Sequence, residues 1–291
     1  MTSIVLVHIG DRWPSHIKIC INQIIKFFEG DIYVVSNIPH KIQDCPLNIR
    51  YVNSSELRCD SIIEFEKANF FKEYGLNNFW SYAFERLLLL GSLLLKHNIE
   101  KVVHIENDVL LYHDPNHVNF RKFFSDRVAF NPLGPNVCTA SYVYIDTPRA
   151  MTIINDLLIN LIKKGKEELL RMLPGNSMIN EMILLSHLQS SKDIDYLPIN
   201  MEGMFSDNYG DFNMIFDPAS WGQYLGGTPH GHPPGTLFDH HWIGKVMKNK
   251  NFKVRWIIDE KGRKIPLLYY MNKEHKFANL HIHTKNLFKY C

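Results

Sequence analysis

Short β-branched runs alternate with helical stripes in the first part of the chain, and this alternation constrains the fold more than any other feature. Residues 3–8 (SIVLVH) have the pattern of a buried strand, residues 17–28 carry apolar side chains at helical spacing, and residues 31–36 (DIYVVS) have a second strand pattern. A strand, a helix and a strand in this order indicate a βαβ unit. The sequence therefore predicts an α/β fold with a mixed, mainly parallel central sheet flanked by helices.

The alternation continues through the middle of the chain. The same patterns predict strands at 48–52, 101–105, 141–145 and 279–283, and helices at 80–98, 150–164 and 175–188, with a further apolar segment at 109–112. Residues 200–241 are rich in glycine and proline, so we expect an irregular region towards the C-terminus. No repeat or linker divides the chain, which favours one domain over residues 1–291.

The composition argues against several classes of protein. Lys+Arg (32) nearly balance Asp+Glu (30), and a net charge of +2 disfavours electrostatic binding of nucleic acid. The longest uncharged leucine-rich run, Leu87–Leu95, is far shorter than the roughly 20 residues of a membrane span. We expect no transmembrane segment, and the absence of a signal-like leader predicts a cytoplasmic location.

An acidic triplet follows the strand predicted at 101–105. Glu106, Asn107 and Asp108 lie at its carboxyl end, where ligands bind in parallel sheets. Carboxylate oxygens suit Mg²⁺ or Mn²⁺, which take their remaining ligands from phosphate and water. The triplet predicts a metal site that a diphosphate would complete, with a solvated turn as the alternative.

Several segments, spread over nearly the whole chain, resemble glycosyltransferases of the GT-A fold. VVHIENDVLLY (102–112) resembles the family's acidic Asp-x-Asp motif, with Glu106 in the first acidic position and Asp108 in the second. Further segments match in order, namely Phe84-Glu85-Arg86 on the preceding helix, ASYVYI (140–145), NLHIHTKNL (279–287) and, in a poorly characterised bacterial and viral subset, DPASWGQYLGG (217–227).

The resemblance implies a metal-dependent transfer of a sugar from a nucleotide-sugar donor, first of all a UDP-sugar, to a glycan or other hydroxyl acceptor. It implies a nucleotide-binding half at 1–112 and an acceptor-side half at 113–291 within the single domain. Asp108 would bind Mn²⁺ or Mg²⁺ directly, and Glu106 would assist through the ribose or a metal-bound water.

The histidine segment and the strand ends supply the other ligands. The resemblance puts one imidazole on the cation. His283 is our first choice and His281 the second, because both share a face of an extended strand. Arg86 would be costly to bury unpaired, so we expect it to face the nucleotide or to pair with a structural carboxylate such as Glu85 or Asp108. The predicted donor-binding residues are His8, Arg86, Glu106, Asn107 and Lys285.

Catalysis and acceptor binding are assigned to the second half of the chain. An inverting enzyme needs a carboxylate base at the acceptor hydroxyl. Glu181, in PGNSMINEMILL, is the first candidate, with Asp217 and then Asp239 in reserve. Aromatic faces stack on sugars and polar side chains bind hydroxyls, so we expect Trp221, Gln223 and Tyr224 to form an acceptor or sugar wall.

Other functions stay open at this stage. A nucleotidyltransferase would begin with a glycine-rich basic loop, which HIGDRWPSH lacks. A non-catalytic sugar- or metal-binding module would keep the sheet alone. A zinc hydrolase would use the histidine-rich cluster, which lacks the helical spacing of a zincin. That cluster consists of His230, His232, Asp239, His240 and His241.

Overall fold

The computed structural model describes residues 1–38, 47–190, 192–201, 207–229 and 231–291. Its strands in chain order are β1 (Ser3–His8), β2 (Ile32–Ser36), β3 (Ile49–Asn53), β4 (Val102–Ile105), β5 (Val109–Leu111), β6 (Val128–Gly134), β7 (Val137–Ile145), β8 (Asp195–Tyr196), β9 (Met214–Phe216), β10 (Phe252–Ile258), β11 (Lys264–Tyr270) and β12 (Lys273–His281). Its α-helices are α1 (His16–Phe27), α2 (Asp60–Ala68), α3 (Phe79–His97), α4 (Phe120–Phe124), α5 (Pro148–Ile162), α6 (Lys166–Met172), α7 (Glu181–Ser190), α8 (Tyr209–Phe212), α9 (Ser220–Gly226) and α10 (Trp242–Met247).

The larger sheet is mixed and mainly parallel, as the sequence predicts. Its strand order is β3-β2-β1-β4-β7-β6-β8. The first four strands run parallel to one another. Strand β7 is antiparallel to β4 and β6, and β8 is parallel to β6. The predicted fold class is confirmed. The helix predicted at 175–188 begins later than expected, at Glu181.

Two apolar cores cover the two faces of this sheet. Alternate residues of β1 divide between them, with Ile4 and Leu6 in one core and Val5 and Val7 in the other. The first core includes the apolar stripe of α1, and the second includes the leucines of α3. Burial on both faces explains why β1 is apolar throughout, as in other covered parallel sheets.

A second sheet occupies much of the C-terminal region, where the predicted fold class has irregular structure. Strands β10, β11, β12 and β5 form it with antiparallel neighbours, and β9 pairs in parallel with β12. The strand predicted at 279–283 is the end of the longer β12, and it stops at His281. Charged side chains on the open face of β10 and a proline within β11 weaken the strand signal there. The irregular region predicted at 200–241 precedes β10 to β12, and β10 and β11 are strands that the sequence pattern does not predict.

The acidic triplet joins the two sheets. Strand β4 belongs to the larger sheet and β5 to the smaller one, so residues 106–108 form the crossover. Strand β12 lies antiparallel to β5 with His281 opposite Val109. The backbone N–H of Ile282 donates to the carbonyl oxygen of Asp108 at 3.0 Å. This register brings the C-terminal histidine segment onto the triplet.

Within the described part of the chain, no helix combines the length and apolar character that crossing a membrane requires. The division into halves at residue 112 stays a prediction.

Candidate metal and donor site

Two carboxylates and one imidazole meet at the crossover between the sheets. Nε2 of His281 lies 3.2 Å from Oε2 of Glu106 and 3.2 Å from Oδ2 of Asp108. One ligand atom from each of the three residues lies within 4.8 Å of the others, and the described residues contain no other such group of three or more His, Cys, Asp or Glu. Metal–oxygen bonds of about 2.1 Å put opposed ligands about 4.2 Å apart, so small rotations would close this group on an ion.

Cationic side chains balance the two carboxylates. Nη1 of Arg86 lies 2.5 Å from Oε1 of Glu106, and both side chains are largely buried. Nζ of Lys285 contacts Oδ2 of Asp108, and the lysine side chain stays 47% exposed. Arg86 therefore pairs with a carboxylate, and that carboxylate is Glu106 and not Glu85 or Asp108.

The charges in this cluster favour the ionised form of the carboxylates and the protonated form of the imidazole. Burial raises the pKa of Asp108, but His281 and Lys285 outweigh it and bring that pKa well below its usual value. Burial likewise raises the pKa of Glu106, and Arg86 and His281 bring it below its usual value. Burial lowers the pKa of His281, while the Asp108 charge and hydrogen bond raise it above its usual value. Without a metal, the cluster is a compensated network of opposite charges.

The donor set fits a divalent cation. Carboxylate oxygens and a neutral imidazole are ligands that such ions take together. The imidazole Nε2 faces both carboxylates, while its Nδ1 is buried without a hydrogen-bond partner. The two carboxylates thus orient the ring with Nε2 towards the proposed ion. Nε2 must lose its proton to coordinate that ion.

His283 lies outside this group. Its Nδ1 accepts a hydrogen bond from Nε2 of Gln223 at 2.9 Å, and burial lowers its pKa to about 3. Strand β12 ends at His281, so the alternation that would put both histidines on one face stops there. The structure brings the second choice, His281, to the carboxylates and not the first choice, His283.

Asp217 is a fully buried clamp for the backbone next to the site. Its carboxylate accepts N–H bonds from Ala219 (3.0 Å), Trp221 (2.9 Å), Gly222 (2.8 Å) and His281 (3.0 Å). Burial raises its pKa, and the N–H bonds counter this only in part. Asp217 therefore positions the backbone of His281, which corrects its prediction as a reserve catalytic carboxylate.

The predicted sugar wall is largely interior. Trp221 is 0% exposed and packs edge-on against Phe252 and Phe277, so it presents no face to a sugar. Gln223 is buried and bonded to His283, and the half-buried Tyr224 packs against Phe252. The stacking interpretation of Trp221 is wrong, because the apolar core buries this segment of α9.

A chain of polar side chains extends the site along the edge of the larger sheet. Nδ2 of Asn107 donates to Nδ1 of His8 at 3.0 Å, and Nε2 of His16 donates to Oδ1 of Asn107 at 3.0 Å. Nε2 of His8 in turn donates to the carbonyl oxygen of Arg12 at 3.0 Å. His8 and Asn107 thus share one edge, as their strand ends predict. His16 is an addition, since a single histidine at a helix start carries no signal in the sequence.

Glu181 is the first residue of α7 and is nearly fully buried. The pKa of Glu181 is raised to about 7, chiefly by burial. The charge of Arg86 lowers this pKa and the charge of Glu106 raises it. Its Oε2 has no hydrogen-bond partner. A carboxyl group with these properties can hold or release a proton at neutral pH.

The histidine-rich cluster forms no metal group among the described residues. Asp239 pairs with Lys248 at 2.7 Å, and Nδ1 of His241 lies 3.1 Å from Oγ of Ser220. His230 lies outside the described residues. The zinc hydrolase hypothesis gains no support.

No family model matches the chain, and no curated protein matches it either. The solved structures that resemble it include glycosyltransferases. Mouse xyloside xylosyltransferase 1 in its apo form is 8% identical, with 72% of this chain and 92% of that chain covered at a TM-score of 0.46. An active-site mutant of LgtC is 11% identical, with 96% and 86% covered at 0.48. The galactosyltransferase LgtC with donor and acceptor sugar analogues is 11% identical, with 67% and 73% covered at 0.42. Likeness at this level says nothing about activity, so the chemistry rests on the side chains of the site.

Proposed function

We propose that the protein is a metal-dependent glycosyltransferase that moves a sugar from a nucleotide-sugar, first of all a UDP-sugar, to a glycan or other hydroxyl acceptor. The observation that carries this proposal is the meeting of Glu106, Asp108 and His281 beside the half-exposed ammonium of Lys285. Two anions and an imidazole can hold a divalent cation, and an ammonium next to them can bind a diphosphate. The site lies beyond the carboxyl ends of parallel strands, where such ligands bind.

Several groups of the cluster would stabilise the nucleoside diphosphate as it leaves the sugar. A divalent cation at this site would supply positive charge to the diphosphate as the bond from sugar to phosphate breaks. Mixed oxygen and nitrogen ligands favour Mn²⁺ over Mg²⁺. Lys285 adds a second positive charge at the mouth of the site, and Arg86 keeps Glu106 ionised and oriented through its ion pair.

The nucleoside of the donor is proposed to lie over the ends of β1 and β4. His8, Asn107 and His16 form a hydrogen-bonded chain there. Burial lowers the pKa values of His8 and His16, so both imidazoles are neutral donors and acceptors near pH 7. Neutral groups of fixed orientation suit the hydroxyls and carbonyls of a nucleoside.

Glu181 is proposed as the base that takes the proton of the acceptor hydroxyl. A general base works best when its pKa is near the working pH, and burial brings the pKa of Glu181 to about 7. Its Oε2 is buried without a hydrogen-bond partner, so no protein group competes for a proton on that oxygen.

Calorimetric titration with UDP, with and without Mn²⁺, tests the proposal. We expect tight UDP binding only with Mn²⁺, and release of nucleoside diphosphate when UDP-sugars are screened with Mn²⁺ present. His281→Gln should abolish the metal dependence, and His283→Gln is the matched control because His283 lies outside the cluster. Equal UDP binding in chelator and in Mn²⁺ would contradict the proposal.

A further inference from the structure

The net charge of +2 conceals an uneven distribution along the chain. Residues 245–291 contain twelve Lys and Arg and three Asp and Glu, whereas residues 1–244 contain twenty and twenty-seven. The C-terminal segment is therefore strongly basic and the remainder acidic. The overall charge balance, which argues against a polyanionic partner, does not describe this part of the protein.

The basic segment builds the edge of the smaller sheet. Strand β10 is the outermost strand, and its exposed Lys253 and Arg255 alternate with the partly buried Val254 and Trp256. On β12, the exposed Lys276 lies opposite Leu267 of β11, which in turn lies opposite Arg255. Residues opposite each other in register share a face, so these three cations lie on one open face of the sheet.

Large apolar side chains lie at the end of the hairpin of β10 and β11, with Ile257 on the face of Lys253 and Arg255 and Ile258 on the opposite face. Ile257, Ile258 and Phe288 are 43%, 67% and 80% exposed. Lys264 lies opposite Ile258 in register, and its Nζ donates to the carbonyl oxygen of Lys289, the residue after Phe288, at 2.7 Å. These three exposed side chains, here called the apolar tip, thus lie at the end of the hairpin with Lys264 beside them.

Acidic side chains do little to neutralise this surface. Asp259 is paired with Arg263 through a 2.7 Å contact between Oδ2 and Nε. Glu274 lies on the same face as Lys276 and offsets one positive charge of that face, and Glu260 is the remaining acid of the segment. We call the apolar tip and the basic side chains around it the C-terminal basic surface. Its basic residues are Lys253, Arg255, Lys261, Lys264, Lys276 and Lys289. This surface therefore remains positive.

We propose that the C-terminal basic surface binds the protein to an anionic lipid bilayer. The lysines and arginines would lie among the lipid phosphates, and the apolar tip would enter the boundary between headgroups and acyl chains. Exposed aliphatic side chains gain free energy on leaving water for that boundary. Nucleic acid offers phosphates but no comparable apolar phase, so the apolar tip favours a bilayer. The proposal is independent of the sugar-transfer activity.

Co-sedimentation with lipid vesicles tests the charge component. The protein should bind vesicles of two parts phosphatidylcholine and one part phosphatidylglycerol, should not bind phosphatidylcholine alone, and should dissociate as salt screens the charges. Each lysine lost near an anionic surface weakens partition about fivefold, so Lys253→Gln, Lys261→Gln and Lys276→Gln together should weaken it about 100-fold. The matched control, Lys18→Gln, Lys67→Gln and Lys164→Gln, changes the net charge equally and should retain binding.

A second variant separates a bilayer from nucleic acid. Ile258→Ser with Phe288→Ser keeps every charge and should weaken vesicle binding about tenfold, because apolar contact is lost. Circular dichroism and thermal unfolding verify that each variant folds. Equal binding to neutral and anionic vesicles would overturn the proposal. So would equal losses in the two lysine triples, or tighter binding to duplex DNA that the serine variant leaves unchanged.

Discussion

Asp108→Asn removes one negative charge from the buried cluster and keeps the shape of the side chain. Breaking a buried ion pair from one side costs about 3–5 kcal/mol. Here the cost is lower, because neither cation need stay buried and unpaired. Lys285 is 47% exposed and can turn to water, and His281 can release its proton. We therefore expect a loss of about 2 kcal/mol in the free energy of unfolding, measured with urea in chelator at pH 7.

The same substitution should weaken metal binding far more. Loss of one charged ligand costs about 3 kcal/mol, which corresponds to about 100-fold weaker Mn²⁺ binding in calorimetry. The matched control is Asp156→Asn, an exposed position on α5 that should change neither quantity. If the Asp108 variant binds Mn²⁺ as tightly as the original protein, or unfolds at the same urea concentration, the placement of the cluster is wrong.

The pH dependence of this difference has a definite sign. The pKa of Asp108 in the folded protein is well below its usual 3.8, so its stabilisation is fully present above that value and is lost as the pH falls through the folded pKa. The difference in unfolding free energy between the original protein and Asp108→Asn should therefore be full near neutral pH and should close only in strong acid.

Other substitutions test the remaining parts of the site. His281→Gln should weaken Mn²⁺ binding about 100-fold in calorimetry, whereas His283→Gln should leave it within about twofold. In chelator, the stabilisation from His281 should be present below pH 6.5 and lost as the pH rises through its raised pKa, while Mn²⁺ binding should tighten over the same range. Glu181→Gln should lower the transfer rate about 100-fold or more and remove the rise in rate that the original protein shows through a pH of about 7. A Cβ on Gly222 would lie 1.8 Å from the carbonyl oxygen of His281, against a nearest approach of 3.3 Å at Gly226, so only Gly222→Ala should cost about 3 kcal/mol in urea unfolding and weaken Mn²⁺ binding.

The fold was predictable from the sequence where the strands are buried on both faces. Strands buried on both faces are continuous apolar runs, and β1 and β2 are of this kind. The meander of β10 to β12 was not predictable in the same way, because one face is open to solvent and carries Lys253 and Arg255 among the apolar residues. Glycine and proline before this segment also favour irregular structure, although the chain beyond them forms regular strands.

The carboxylates of the site were predictable, but their partners were not. Glu106 and Asp108 follow directly from the end of β4, which is a local pattern. That His281 and not His283 meets the carboxylates depends on where β12 ends and on how it pairs with β5. Both are set by the tertiary structure and not by the local sequence. Arg86 pairs with Glu106 for a similar reason, since the facing of α3 decides which carboxylate it reaches.

The charge balance of the cluster links cation binding to proton release. In the absence of a metal, Arg86 and Lys285 pair with Glu106 and Asp108, and the raised pKa of His281 favours a third positive charge between the carboxylates. An ion that coordinates Nε2 must displace a proton whose pKa is raised by the same carboxylates, so affinity falls as the pH drops. Lys285 contacts a carboxylate that the ion also needs, and its exposure lets it turn to a diphosphate instead. Binding of the cation and of the diphosphate should therefore reinforce each other, because each removes a competitor of the other.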